Sequence, residues 1–223
     1  MAVMSVLSLI PVLGNVLGLT LLPGVTLGFM AATQEAAKGK FPMPTILISA
    51  FRAGQSQQQA MLVLGGLYAA GFLLVLAISA LADGGKFAHM YLVGGAMTAE
   101  VLQSSDFQLA ALVAMTLYMP LSLLFWHAPA LVHWHGVSPL KSLFFSLVAC
   151  LRNFWAFTLF GLVWMGVFLG VGITIATISA LLGGADTVGV ILFPAAMLMA
   201  AMFFTSIYFT FRDSFESSEG DAP

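Results

Sequence analysis

The chain has 223 residues, of which 61% are apolar and 7% are charged. Soluble domains carry about 25% charged residues, so this chain cannot cover a water-facing surface. The composition excludes a soluble or disordered protein, a nucleic-acid-binding protein and a disulfide-stabilised secreted domain. It predicts an all-α, polytopic transmembrane helical bundle whose first partner is the lipid bilayer.

Long uncharged runs divide the chain into candidate spans, each able to supply the roughly 18 to 20 residues that a helix needs to cross hydrocarbon. Residues 1–10 are apolar but too short to span, and the run Pro11 to Asn15 that follows contains turn-forming residues. We therefore expect a partial N-terminal span and five full ones, at residues 16–33, 60–81, 107–127, 154–182 and 188–211. Together they predict one membrane domain over residues 1–211, followed by an acidic, flexible tail over residues 212–223.

The basic residues predict the orientation, because Lys and Arg are retained on the cytoplasmic side of a membrane. With the loop after the first full span inside, six of the seven basic residues are cytoplasmic, and Lys86 alone is outside. The six are Lys38, Lys40, Arg52, Lys141, Arg152 and Arg212. The pattern therefore predicts a cytoplasmic C-terminus.

A weak internal repeat appears when the sequence is shifted by 97 positions. The shift aligns Pro23 with Pro120, Ala31 with Ala128, Gly39 with Gly136, Pro42 with Pro139 and Ser49 with Ser146. Each copy contains an inbound helix with a proline, a Gly-x-x-Pro elbow and an outbound helix. The pattern predicts parallel repeats over residues 16–82 and 107–182, with both elbows in the cytoplasm.

Each elbow contains a short apolar segment with more than one interpretation. In the first copy, Ile46, Leu47, Ala50 and Phe51 have helical spacing, which predicts an interfacial helix with Arg52 reaching the headgroups. The same segment could instead begin the next span, displaced by Gly54. The second segment, residues 142–151, is apolar nearly all round and predicts a buried re-entrant or tilted position.

Residues 125–146, FWHAPALVHWHGVSPLKSLFFS, together with the upstream SLIPVLG and FPMPT stretches, resemble a family of uncharacterised betaproteobacterial inner-membrane proteins. The resemblance covers nearly all of the chain and implies an inner-membrane location. Members of that family usually begin several tens of residues earlier, so the resemblance implies that this chain is shortened within its first helix. It implies no substrate or reaction.

Three histidines, His127, His133 and His135, lie close together in the sequence at the cytoplasmic end of the span predicted at residues 107–127. Imidazole is a common ligand of zinc, copper and haem iron, so they are weak candidates for a metal or haem site. The alternative is an anchor in the headgroup zone, shared with Trp126 and Trp134. We expect the basic residues Arg52, Lys141, Arg152 and Arg212 to lie in the same zone, and we predict no cofactor.

Three Gly-x-x-x-Gly pairs are candidates for close helix packing: Gly14 with Gly18, Gly24 with Gly28 and Gly166 with Gly170. No charged residue lies at the centre of a predicted span, which argues against an ion-driven transporter. The chain also lacks the motifs of common enzymes, so we expect no enzymatic activity.

The sequence therefore favours a structural or accessory membrane component that contacts lipids, another membrane protein or a copy of itself. Two alternatives stay open at this point. One is a small-solute permease that uses the interface between the repeats, and the other is a haem- or metal-binding module at the three histidines.

Overall fold

The computed structural model describes residues 11–94, 98–182 and 185–215. The predicted partial span at residues 1–10 and most of the predicted tail lie outside these ranges. Within them every regular element is a helix and no strand occurs, which confirms the all-α class.

The elements follow one another with short connections, as expected for helices that cross a membrane repeatedly. In chain order they are α1 (Pro11–Ala37), a 3₁₀ helix (Pro44–Phe51), α2 (Gln55–Asp83), α3 (Lys86–Leu92), α4 (Ala99–Gln103), α5 (Ser105–Phe125), α6 (Ala128–His135), α7 (Pro139–Arg152), α8 (Phe154–Leu182) and α9 (Ala185–Phe215).

In the part of the chain that the structure describes, five segments are long and apolar enough to cross a membrane, in agreement with the five full spans predicted. They are Leu13–Ala37, Gln55–Asp83, Ser105–His135, Phe154–Leu181 and Ile191–Phe215. Pro23, Pro120 and Pro194 lie inside α1, α5 and α9, respectively. A membrane bundle can accommodate such prolines because neighbouring groups satisfy the carbonyls that they free.

Two predicted boundaries differ from the structure. The turn expected at residues 11–15 is wrong, since these residues form the first turns of α1. Pro11 is compatible with this position, because the first residues of a helix have no intrahelical partner for their N–H groups. At the other end, α9 continues to Phe215, so residues 212–215 are helical.

The described helices group into two compact units. The first unit contains residues 1–28 and 47–147, and the second contains residues 29–46 and 148–223. The boundary passes through α1 and α7, which therefore contribute to both.

In the first unit, the most extensive packing is between α2 and α5. Tyr68 of α2 is buried there, with its ring 5.1 Å from that of Phe125 and its hydroxyl 3.2 Å from that of Tyr118. Glycines let the helices approach closely. A Cβ added at Gly65 of α2 would collide with the backbone carbonyl of Thr20 in α1.

The loop after α2 is more ordered than the sequence indicated, because it contains α3 and α4. Asp83 is buried at the end of α2, and its carboxylate accepts hydrogen bonds from the backbone N–H groups of Gly85 (2.8 Å) and Phe87 (2.7 Å). Gly84 and Gly85 take left-handed conformations that turn the chain between the helices. Asn15 fixes the end of α3 by donating to the carbonyl of Leu92 (2.8 Å).

The second unit contains the packed helices α8 and α9 and the last part of α1. Trp164 of α8 contacts Phe203 of α9 at 5.3 Å between ring centroids, and Phe29 of α1 stacks on Phe204 of α9 at 5.8 Å. Most of α8 is exposed in the protein. In a membrane, this apolar surface faces lipid or another transmembrane segment.

Candidate functional site

The two elbows carry most of the residues singled out by the sequence. We define the first elbow as residues 38–54, between α1 and α2, and the second elbow as residues 136–153, between α6 and α8. Each begins with a glycine in the left-handed conformation, Gly39 with φ 75° and Gly136 with φ 62°. Such a glycine ends a helix because it takes positive φ without a Cβ clash.

The first elbow starts with a compact helix end. The N–H of Gly39 bonds to the carbonyl of Ala36 (3.0 Å) and that of Lys40 to the carbonyl of Glu35 (3.0 Å), a Schellman arrangement that satisfies two terminal carbonyls. Lys38 and Lys40 each lie 3.9 Å from the Glu35 carboxylate. Because these groups are exposed, the ion pairs contribute little stability.

The apolar part of the first elbow is the 3₁₀ helix, interrupted at Ile48 (φ −107°, ψ 16°). It is separate from α2, because Gly54 has φ 105° directly before that helix. The segment is thus helical, as the interfacial interpretation predicted, but it is not a regular α-helix.

The inner face of the first elbow lies against α1 at Gly24 and Gly28. A Cβ at Gly24 would lie 2.6 Å from the ring of Phe51, and a Cβ at Gly28 would collide with the backbone carbonyl of Leu47. The missing side chains therefore make room for the elbow of the same chain. The side chains of this segment are apolar and open, with Ile48 51% and Leu47 41% exposed.

The second elbow follows a break in the helix that crosses from α5 to α6. The backbone N–H of His127 donates to Ser146 Oγ (2.9 Å), and the same hydroxyl donates to the carbonyl of Leu123 (2.8 Å). A continuous helix would pair that N–H directly with that carbonyl. A side chain inserted into the helix ladder in this way is a recognised cause of a kink.

Pro129 explains why the break occurs here. It lies in the first turn of α6, where its missing N–H costs nothing. In a continuous helix its ring would clash with the carbonyl of Phe125 four residues earlier. Ser146 of α7 then supplies the hydrogen bonds that the break removes, and it is fully buried.

α7 has two distinct faces. Its inner face consists of small residues that are buried, among them Ser142, Ser146 and Ala149. Its outer face is apolar and open, with Leu140 70% and Phe144 61% exposed. This outer face is exposed within the protein, and the buried re-entrant or tilted position in the membrane stays a prediction. α7 is an amphipathic helix with Lys141 and Arg152 exposed near its two ends.

The three histidines occupy different environments. His127 is fully buried at the helix break, His133 is half-buried on α6 and His135 is exposed at the end of α6. The backbone carbonyl of His133 accepts from Gln57 Nε2 of α2 (3.3 Å). Among the described residues, no group of three His, Cys, Asp or Glu side chains is placed to hold a metal ion.

The other predicted positions are also distributed along the chain. Trp126 and Trp134 flank the histidines and are half-buried, whereas Arg52 is exposed at the end of the first elbow. The guanidinium of Arg212 lies 5.2 Å from the centroid of the Phe209 ring. Gly166 and Gly170 have open space where a Cβ would be, so this glycine pair lies on the exposed surface of α8.

Sequence reasoning identified Ser146 only as one member of a matched pair. A serine in an apolar helix gives no indication of a partner 19 or 23 residues away. Pro129 was the available signal, because a proline after a long apolar helix creates backbone groups that need another partner.

One comparison gives the chain a family. It is 43% identical over 223 residues to a protein of Burkholderia thailandensis named as a probable inner membrane protein, and the match covers 99% of this chain and 83% of that protein. No family model matches the chain, and no solved structure matches it. Extensive identity over nearly the whole length, together with five membrane-length helices, shows that the chain belongs to a family of multi-pass inner-membrane proteins.

Proposed function

We propose that this protein is an accessory component of the inner membrane, without chemistry of its own, that holds a membrane partner or lipids through its two elbows. One observation carries the proposal. Each elbow is fixed to the chain on one side and exposes large apolar side chains, Ile48 in the first and Phe144 in the second.

The inner contacts favour a rigid platform. Gly24 and Gly28 let the first elbow lie directly on α1, and Ser146 binds the second elbow to the backbone at His127. A rigid surface loses little conformational entropy on binding, so it is suited to holding a partner. Large apolar side chains that are exposed close together are typical of surfaces covered by a membrane or by another protein.

The basic residues favour one orientation of the elbows in the membrane. Arg52 ends the first elbow, and Lys141 and Arg152 lie on the second. Under the positive-inside rule, both elbows and the C-terminus would lie on the cytoplasmic side. There the basic groups would meet the anionic lipids of the membrane surface.

Photo-crosslinking from the outer faces tests the proposal. We would place a photoreactive phenylalanine analogue at Ile48 and at Phe144 in native membranes, with Leu159 of α8 as the matched control because it is 63% exposed within a span. From both elbows we expect adducts with discrete proteins or with lipids attached through the headgroup. From Leu159 we expect only lipids attached through an acyl chain. Identical products at all three positions would overturn the proposal.

Cysteine labelling tests the orientation. Cys150 is the single native cysteine and is buried, so a Cys150→Ser background suits the experiment. A membrane-impermeant thiol reagent should label Lys86→Cys in intact cells, and it should label Lys40→Cys and Lys141→Cys only after the membrane is opened. Labelling of the two elbow positions in intact cells would contradict the cytoplasmic assignment.

Neither alternative function is favoured by a specific observation. The metal or haem interpretation needs the three histidines in one site, whereas the structure places them from fully buried to exposed. The permease interpretation requires a polar cavity between the spans predicted at residues 60–81 and 154–182, and this cavity stays a prediction.

A further inference from the structure

A pocket of about 360 Å³ lies between the start of α8 and the end of α9, within the second unit. One part of its lining is aromatic, formed by Phe157, Phe160 and Phe209, and another part is polar and includes Asn153, Ser206 and Asp213. The pocket lies where two spans end, so its position is that of the headgroup zone. A polar rim above an aromatic floor is typical of sites for amphiphilic ligands.

The polar lining is rich in hydrogen-bond acceptors. Asn153 uses its amide N–H₂ group to donate to the carbonyl of Ala149 (3.0 Å), which leaves Oδ1 as an acceptor. Ser206 donates its hydroxyl proton to the carbonyl of Phe203 (2.6 Å), which leaves the oxygen lone pairs. One N–H of Asn153 and the hydroxyl proton of Ser206 are thus used within the protein, and the oxygens of both side chains can accept from a ligand that donates hydrogen bonds.

The charges of Asp213 and Arg212 favour a ligand that carries a cationic hydrogen-bond donor next to an anionic group. Among the described residues, Asp213 is the one charged member of the lining, and Arg212 binds it through Nε (3.1 Å) and an η nitrogen (3.0 Å). Both bonds go to Oδ1, so Oδ2 is available to a ligand. Arg212 retains further N–H donors of the kind that bind phosphate.

We infer that this pocket binds the headgroup of a phospholipid with a primary ammonium group, of the phosphatidylethanolamine class. The ammonium would donate to Asp213 and Asn153, the phosphate would approach Arg212, and an acyl chain would follow the aromatic part of the lining. Aromatic ring faces also attract a cation. The inference shares only Asn153 and its bond to Ala149, in the last turn of the second elbow, with the proposed function, and the two proposals are tested by different measurements.

The sequence after Phe215 offers no cation for this pocket. The eight residues that follow Phe215 contain three acidic side chains, Glu216, Glu219 and Asp221, and no basic one. Carboxylates would repel Asp213 and could not donate to the acceptor groups. Charge therefore favours an external ammonium group.

Lipid retention measured by native mass spectrometry tests the inference. The purified full chain would be loaded from mixed micelles that contain equal amounts of phosphatidylethanolamine, phosphatidylcholine and phosphatidylglycerol. We expect preferential retention of phosphatidylethanolamine, because the choline headgroup has no N–H donor and the glycerol headgroup has no cation. Equal retention of the three lipids would overturn the inference.

Three variants locate the binding. Asp213→Asn should reduce retention of phosphatidylethanolamine about tenfold, the factor expected for loss of one charge-assisted hydrogen bond. Ala156→Trp should abolish it by filling the pocket, even if a change at Asp213 affects folding. Asp106→Asn, which removes an exposed carboxylate at the start of α5, should have no effect. Unchanged retention in both pocket variants would overturn the assignment.

Competition separates a lipid from a soluble amine. Phosphoethanolamine carries the same headgroup without acyl chains, and we expect millimolar amounts to leave the bound lipid in place because they lack contact with the aromatic floor. Displacement by phosphoethanolamine at low concentration would show that the site selects a free amine, and it would contradict the lipid assignment. Crosslinking at the elbows is read separately, so either proposal can fail alone.

Discussion

The first and second elbows follow the same sequence plan but attach to the chain by different interactions. The first lies against Gly24 and Gly28 of α1, where missing side chains allow backbone to approach backbone. The second is held by Ser146, whose hydroxyl connects the N–H of His127 with the carbonyl of Leu123. One attachment depends on shape and the other on hydrogen bonding.

The difference shows how the two attachments should respond to substitution. A close backbone approach tolerates no added atom, because neither backbone can move without shifting a whole helix. A hydrogen-bonded bridge tolerates a small change in volume but not the loss of its polar atom. Matched substitutions in the two elbows can therefore separate packing from polarity.

The largest effect is expected at the first elbow. Gly28→Ala places a Cβ against the backbone carbonyl of Leu47, and we expect it to lower the free energy of unfolding by about 3 kcal/mol, the upper part of the range for overpacking. The measurement is thermal or denaturant unfolding of the purified protein in mild detergent. Gly166→Ala in α8 is the matched control, because its Cβ would meet open space.

The control should change the free energy of unfolding by less than about 1 kcal/mol, since alanine only improves the helix propensity there. Equal destabilisation by the two alanines would mean that the Gly166 surface is also packed, as an oligomer would require. A stable Gly28→Ala protein would contradict the close approach of the first elbow.

A smaller loss is expected at the second elbow. Ser146→Ala removes the acceptor of the His127 N–H and the donor to the Leu123 carbonyl. We expect a loss of about 2 kcal/mol, since each net hydrogen bond contributes about 1 kcal/mol. The matched control is Ser142→Ala one turn earlier, which is also fully buried but bonds within its own helix to the carbonyl of Pro139 (2.7 Å).

Ser142→Ala should cost less than about 1 kcal/mol, because the carbonyl that it releases lies in the first turn of α7 and affects no other element. The ratio of the two effects reports on the bridge itself. If Ser142→Ala were as costly as Ser146→Ala, burial of any small polar residue would explain the loss, and the bridge would have no special role.

Hydropathy alone located the membrane helices, because a span must be long and apolar whatever its neighbours are. The span predicted at residues 154–182 matches α8 at both ends, and Pro23 and Pro120 were correctly accommodated inside helices. Hydropathy and proline positions depend only on residues that are close in sequence, so the sequence alone is enough to interpret them.

Contacts between distant residues could not be predicted in the same way. Gly24 and Gly28 were recognised as packing residues, but nothing in their sequence indicated that Leu47 and Phe51 would lie on them. Gly65 was missed because its partner, Thr20, is 45 residues away and is one of many similar residues. In a low-entropy apolar chain, many pairings satisfy the same pattern.

The smallest effect on the free energy of unfolding is expected at Ser49. It compares the two elbows most directly, because Ser49 and Ser146 align in the repeat. Ser49 Oγ is buried and has no hydrogen-bond partner among the described residues, whereas Ser146 makes two bonds. Removing a buried hydroxyl without a partner relieves its desolvation cost, so Ser49→Ala should leave the free energy of unfolding unchanged or raise it by up to about 1 kcal/mol. Opposite signs for Ser49→Ala and Ser146→Ala would show that the first elbow relies on shape alone. A loss of about 1 kcal/mol or more, the contribution of one hydrogen bond, would mean that Ser49 binds a group outside the chain, and lipid would then be the first candidate to test by crosslinking.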